Sequence, residues 1–199
     1  MEEPKRTRKQ QAEQTKRQIF NAAMHLLDIK DFDSITVRDI VNEAKVSIGS
    51  FYNSYHSKLE VFYDTYRFAD EYFDLEVRPN LTQKKVSDQV LAFFEEYARY
   101  SCEYNPFALT RVRYNPDNVN FHRHSEIGML PTLREVMDRG ISRGEFQTDL
   151  SAEDLAQFFM VCIRGVVYDW CIASGSYDLK EKVRKYVKQL LLGITDMSD

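Results

Sequence analysis

Glycine and proline are scarce in this chain, 7 and 5 among 199 residues. Both punctuate turns, so their scarcity argues against a fold of many short strands and leaves no glycine-rich phosphate loop. The three cysteines, Cys102, Cys162 and Cys171, are odd in number and lack CxxC spacing. That pattern, with the apolar neighbours of each, favours buried, reduced thiols over a disulfide or a zinc site. The N-terminus has no apolar run long enough for a signal peptide, and no uninterrupted apolar stretch approaches a membrane span. A cytoplasmic globular protein is expected, with enough chain for one large or two small domains.

Net positive charge is also lacking: 27 Lys/Arg face 31 Asp/Glu, a net charge of −4. Taken whole, that balance argues against a nucleic-acid partner. Its distribution argues the other way. Lys5, Arg6, Arg8, Lys9, Lys16 and Arg17 have only Glu13 among them, so a basic leading arm precedes an acidic body. A solvated tail has the same composition.

Apolar residues recur at helical spacing almost throughout, which predicts an all-α protein. A first helix fits Gln11 to Ile29, with Ile19, Phe20, Ala23, Leu26 and Leu27 as its buried stripe. Thr36 with Asp39 reads as a capping box opening a short second helix that buries Val37, Ile40, Val41 and Ala44. Lys45 and Val46 make a corner, and Ser47 caps a third short helix. Ser57 with Glu60 opens a long fourth helix through about Val77. Further helices fit Thr82–Tyr104 and Ser125–Arg143, the latter bent or restarted at Pro131 and closed by Gly144. Ser151 with Asp154 caps a helix carrying Leu155, Phe158, Phe159, Cys162, Ile163, Val166, Val167 and Trp170. Asp178 caps the last, which buries Val183, Tyr186, Val187, Leu190, Leu191 and Ile194.

The segment VSIGSFYNSYHSK, residues 46–58, is too polar and too glycine-containing for a core helix. Two short helices joined by a tight corner form a helix-turn-helix unit, whose second helix enters the DNA major groove. Such a helix needs an inner face that packs, supplied by Val46, Phe51 and Tyr55. It needs a short or polar outer face, supplied by Ser47, Gly49, Ser50, Asn53 and Ser54. Gly49 weakens the helix by about 1 kcal/mol relative to alanine, and close approach of another backbone is one reason to keep it. Tyr52 and Lys58 suit phosphates. A loop with incidental turns is the plainer alternative.

TVRDIVNEAKVSIGSFYNSYHSKLEVF resembles the DNA-binding domain of TetR/AcrR-type transcriptional regulators, with Ala44, Val46, Ser47, Gly49, Ser50, Phe51, Tyr52, Tyr55 and Lys58 on the pattern. The resemblance covers roughly residues 10–65. It implies phosphate contacts from Thr36, Ser47, Tyr52 and Lys58, and groove contacts from Arg38, Ile48, Gly49, Asn53 and Ser54. Ile48 stands where lysine or a polar residue is frequent, and Asn53 and Ser54 where an aromatic or histidine is common. Ile48 suits a thymine methyl, and Asn53 suits bidentate pairing with adenine. The expected organisation is a flexible basic arm (residues 1–10), a three-helix helix-turn-helix domain (11–56) and an effector-binding and dimerisation domain (57–199). The last is expected to be an antiparallel bundle of about six helices.

Residues 59–114 hold 13 of the 26 aromatics. Tyrosine is abundant there, and a buried hydroxyl needs a partner. Tyr66, Phe73, Phe94, Tyr97, Arg111, Tyr114, Arg164 and Tyr168 are the candidate ligand-binding residues. Core packing accounts equally for the aromatics, and a surface position for the arginines. By resemblance, a small, largely apolar or aromatic effector binds this domain and alters the separation of two DNA-reading helices. The fourth helix would act as the lever and Asn105–His124 as the entrance. The resemblance also implies a homodimer built from the last two helices, binding a pseudo-palindromic double-stranded operator, with repression the expected sign of control.

No ExxH pair, HExxH, GxSxG or Cys–His dyad is apparent, so no enzyme activity and no cofactor are expected. His122 and His124, two apart, do not share a helical face, and no metal site is expected. A helix-turn-helix adaptor for proteins and a helical-bundle enzyme without a recognisable motif are the alternatives.

Overall fold

A computed structural model describes residues 7–104 and 127–195, apart from the side chains of Tyr66 and Tyr104. Residues 1–6, with Lys5 and Arg6, and the 105–126 segment, with Arg111, Tyr114, His122 and His124, lie outside the described residues. The described residues are helical and divide into two compact units, with the division falling after Tyr66.

The first unit begins with α1 (Arg8–Ile29). Thr7 and Gln10 form a reciprocal capping box, so the helix starts before Gln11 and takes in residues expected to belong to the arm. Ile19, Ala22, Ala23, Leu26 and Leu27 form its buried stripe, and Phe20 is half-buried. A 3₁₀ turn (Phe32–Ser34) leads to α2 (Val37–Ala44), capped by Thr36 and Asp39 as the spacing predicts. α2 ends at Lys45, a non-glycine residue in the left-handed region (φ 55°). Its N–H and that of Val46 close the corner onto α2 carbonyls. α3 (Ile48–Ser54) starts at its Ser47 cap. Phe51 and Tyr55 are buried with Ile35, Ile40, Val41, Val61 and Phe62 beneath α1 and α2.

α4 (Lys58–Tyr72) opens differently from the expected box. Ser57 Oγ does accept from Glu60 N–H, but the Glu60 carboxylate reaches past Ser57 to His56 N–H at 2.6 Å. Nor does α4 run regularly to Val77. It widens into a π turn over Phe73–Val77, then tightens into a 3₁₀ turn over Arg78–Asn80 at Pro79.

In the second unit, α5 (Val86–Tyr104), α6 (Met129–Ser142), α7 (Ala152–Ile172) and α8 (Leu179–Leu192) form a closed ring. α5 packs on α6, α6 on α7, α7 on α8 and α8 on α5. The π turn packs on α6. α5 starts four residues later than predicted, where the Glu145 carboxylate accepts from Val86 N–H at 2.7 Å. Pro131 neither bends nor restarts α6. It lies in the first turn, where no N–H has an intrahelical acceptor to lose.

Several burial expectations are corrected. Phe158 and Tyr186 are exposed and Leu190 is half-buried, because α7 and α8 each turn only one stripe toward the ring. The cysteines are not fully buried: Cys102 is exposed, and Cys162 and Cys171 are intermediate. α7 is also long and apolar enough to cross a bilayer, a length the sequence was not expected to contain. Here it serves as a core helix, burying Leu155, Phe159, Met160, Ile163 and Trp170 among others.

Candidate nucleic-acid interface

α3 holds its two faces apart by a simple device. Phe51 is fully buried and anchors one side. On the other, Ile48 is 56% and Tyr52 54% exposed, and Gly49 and Asn53 are exposed with them. Two large side chains standing in water on a seven-residue helix are a feature to be explained. Among the described residues, a Cβ on Gly49 would meet only Ser47 Oγ, at an ordinary 3.7 Å, so no described contact requires glycine there.

The remaining candidate residues divide by what already holds them. Ser47 Oγ accepts from Ser50 N–H at 3.0 Å and lies 2.9 Å from Ser50 Oγ. Half-buried Ser54 donates back to Ser50 O, which ties its hydroxyl to the helix. The Thr36 hydroxyl donates to Asp39 at 2.7 Å. Asp39 also accepts from Thr36 N–H and from Lys30 Nζ at 3.0 Å. The Thr36 hydroxyl, then the Thr36 N–H and Lys30, hold the Asp39 carboxyl down to about 2. Arg38 is exposed one residue into α2.

Lys58 is more constrained than its place at the start of α4 suggests. Its ammonium donates to Phe32 O at 2.8 Å and lies 4.3 Å from the centroid of the Phe32 ring. Two of the three ammonium protons remain for another acceptor. Lys45, exposed at the corner before α3, was not among the candidates. A charged residue at a tight inter-helix corner was the available signal.

Among the described candidate ligand residues of the second unit, three come together and two do not. Phe73, Phe94 and Tyr97 are buried in one aromatic cluster with Phe93 and Phe159, at centroid separations of 5.0–6.4 Å. Arg164 and Tyr168 lie on the exposed side of α7 instead. A polar group at the cluster's edge had no clear sequence signal. The Tyr72 hydroxyl donates to Glu96 at 2.8 Å, and the Arg99 guanidinium binds Glu96, Glu103 and the Tyr72 oxygen. Burial, then Glu96, pushes the Tyr72 phenol up to about 12. Separately, α7 and α8 border a groove of about 690 Å³ lined by Cys162, Gly165, Asp169, Lys182, Tyr186 and Leu190 among others.

Residues 19–64 match the family described as bacterial regulatory proteins, tetR family. The HTH-type transcriptional regulator AcrR of Shigella flexneri is 22% identical over 202 residues, covering 94% of this chain and 92% of that protein. The fatty acid degradation regulator FadR from Bacillus halodurans has the same fold at 20% identity, with a TM-score of 0.74 over 96% of this chain and 97% of its own. Thermus thermophilus FadR, a TetR-family repressor solved with lauroyl-CoA, is 24% identical, with a TM-score of 0.70 over 89% and 93%. The helix-turn-helix unit therefore matches the tetR family of bacterial regulatory proteins, and the chain as a whole shares its fold with solved regulators such as Thermus thermophilus FadR.

Proposed function

We propose that this protein is a cytoplasmic, homodimeric repressor that binds a pseudo-palindromic operator and releases it when a small, largely apolar effector binds the C-terminal unit. The observation that carries the DNA-reading half is the outer face of α3. Ile48, Gly49, Tyr52 and Asn53 stand exposed there, and nothing among the described residues accounts for the glycine. Ile48 and Asn53 would read base edges, Ser50 and Ser54 would shape the helix that presents them, and Arg38 would reach the groove from α2. Thr36, Ser47, Tyr52 and Lys58 would hold phosphates and set the register. In a homodimer, two such helices about 34–36 Å apart match successive major-groove faces.

For the effector, support comes from the aromatic interior of the second unit and from relatives of the same fold. FadR of Thermus thermophilus was solved with lauroyl-CoA and that of Bacillus subtilis with stearoyl-CoA. A long acyl thioester therefore heads the effector classes to test. Release requires only that the effector bind one arrangement of the dimer more tightly than the other. Selection from a random duplex pool tests the reading. Enrichment of a pseudo-palindrome, lost on adding lauroyl-CoA, is expected. No enrichment at low salt would overturn DNA recognition, and enrichment indifferent to lauroyl-CoA would overturn the acyl effector alone.

A further inference from the structure

We propose that Lys45, at the corner between α2 and α3, is a further DNA-positioning residue whose ammonium holds a backbone phosphate beside α3. This rests on the DNA-recognition reading above and adds to it a cation outside the expected contact set.

The backbone makes lysine an awkward choice at this corner. Lys45 has φ 55° and ψ 40°, in the left-handed region. There a Cβ crowds the following carbonyl, and glycine is the residue that escapes the cost. The other described residues with positive φ are Gly128, Gly144, Gly175 and Ser174, none with a long side chain. The bonds that close the corner do not involve the lysine side chain. Lys45 N–H donates to Asn42 O at 3.3 Å and Val46 N–H to Val41 O at 3.1 Å. A glycine would make the same bonds with less strain.

Nor does the fold use the charge. Lys16 pairs with Asp64, Lys30 pairs with Asp39, and Lys58 donates to Phe32 O. The carboxylates of α2 are occupied as well, Asp39 by Thr36 and Lys30, and Glu43 by His25. Lys45 is exposed, and among the described residues its side chain has no hydrogen bond or ion pair. A residue held in a costly conformation with an idle side chain points to a use outside the chain.

Position selects the occupant. In a helix-turn-helix the first helix crosses the sugar–phosphate backbone and the second lies in the major groove. The corner that joins them is carried along the edge of the groove, where the phosphates run. Lys45 is two residues from Ser47, so their Cα atoms lie within about 7.6 Å of each other. An ammonium on a flexible stem suits a phosphate there, because it acts as a point charge and needs no fixed fork geometry. Such a contact carries no sequence information, so Lys45 sets docking strength and register rather than base choice.

Fluorescence anisotropy of the full chain on several unrelated duplexes across a salt series, with urea denaturation of the same preparations, tests this. Lys45→Gln removes the charge and keeps the backbone constraint. Its slope of log affinity against log salt should fall by about one on every duplex, with an unchanged urea midpoint. Lys45→Gly should show the same change of slope with a raised urea midpoint, so that stability and DNA affinity move in opposite directions. Lys45→Arg should keep the wild-type slope. Wild-type slopes in both Lys45→Gln and Lys45→Gly would overturn the proposal and leave DNA recognition standing. A lowered urea midpoint in both would assign the lysine to the corner itself and would also overturn it. A wild type that binds no duplex at low salt would overturn the DNA-recognition reading, and Lys45 with it.

Discussion

The Tyr55 hydroxyl donates to the Asp64 carboxylate at 2.6 Å, joining the end of α3 to α4. Lys16 Nζ lies 3.2 Å from the same carboxylate, and Tyr55 also donates to Lys16 O at 3.2 Å. Asp64 is 6% exposed, so this is a buried charge held by named partners from α1 and the residue after α3. Tyr55→Phe keeps the ring packing and removes one donor from a buried carboxylate. A loss of about 2 kcal/mol is expected. It should appear as a lower urea midpoint with an unchanged m-value, and an unshifted midpoint would mean that the hydroxyl is idle.

Gly49→Ala should separate stability from recognition. With no described atom closer than 3.7 Å to the new methyl, the variant should gain about 0.5–1 kcal/mol. If the operator backbone approaches this surface, affinity should fall about tenfold or more. Thermal melting and gel shift on one preparation give both signs. A stabilised variant with full affinity would remove Gly49 from the interface.

Lys58 presents a choice that salt can resolve. If its ammonium reaches a phosphate while retaining Phe32 O, Lys58→Ala should lower the slope of log affinity against log salt by about one. If it serves only to hold the Phe32 turn, stability falls and the slope does not change. The first outcome is expected, with the same loss for every duplex sequence.

Asp39 fixes an acid limit for the first unit. Its carboxyl is depressed to about 2, against the ordinary 3.8 it recovers on unfolding. A depressed carboxyl is less protonated folded than unfolded. Its contribution to stability is therefore complete above about pH 4 and is lost as pH falls through about 2. In Asp39→Asn, chemical denaturation should show a flatter pH dependence across that window. An identical profile would show that the Thr36–Asp39 cap is not a proton-linked contributor.

Much of the first unit could be read from short-range chemistry. The spacings of Thr36 with Asp39 and Ser47 with Ser50 fix where helices start, because cap and acceptor are three residues apart. Phe51 inside and Tyr52 outside follow from helical phase alone. Lys58 could not be read this way, since its partner Phe32 lies 26 residues away. The second unit was harder for the same reason. Glu145 decides the start of α5 from 59 residues away. Phe158 and Tyr186 look like core residues because each is a large apolar side chain beside a buried stripe, next to Phe159 and Val187 respectively. Phe73, Phe94 and Tyr97 share one cluster while Arg164 and Tyr168 stand on the exposed side of α7, because composition identifies a region without saying which side of a helix faces inward.

The π turn at Phe73–Val77 gives the molecule a tolerance for length. A π turn accommodates one residue more than the α-helix it interrupts. Removing exposed Leu75 would let the backbone relax to ordinary helix while Phe73 stays in its aromatic cluster and Arg78 stays near Asp74 and Glu135. The same deletion in the middle of α4 would swing every later side chain about 100° around the axis. Among related chains, length changes in this helix should therefore collect at its far end, and the stretch from Lys58 to Tyr72 should keep a constant count.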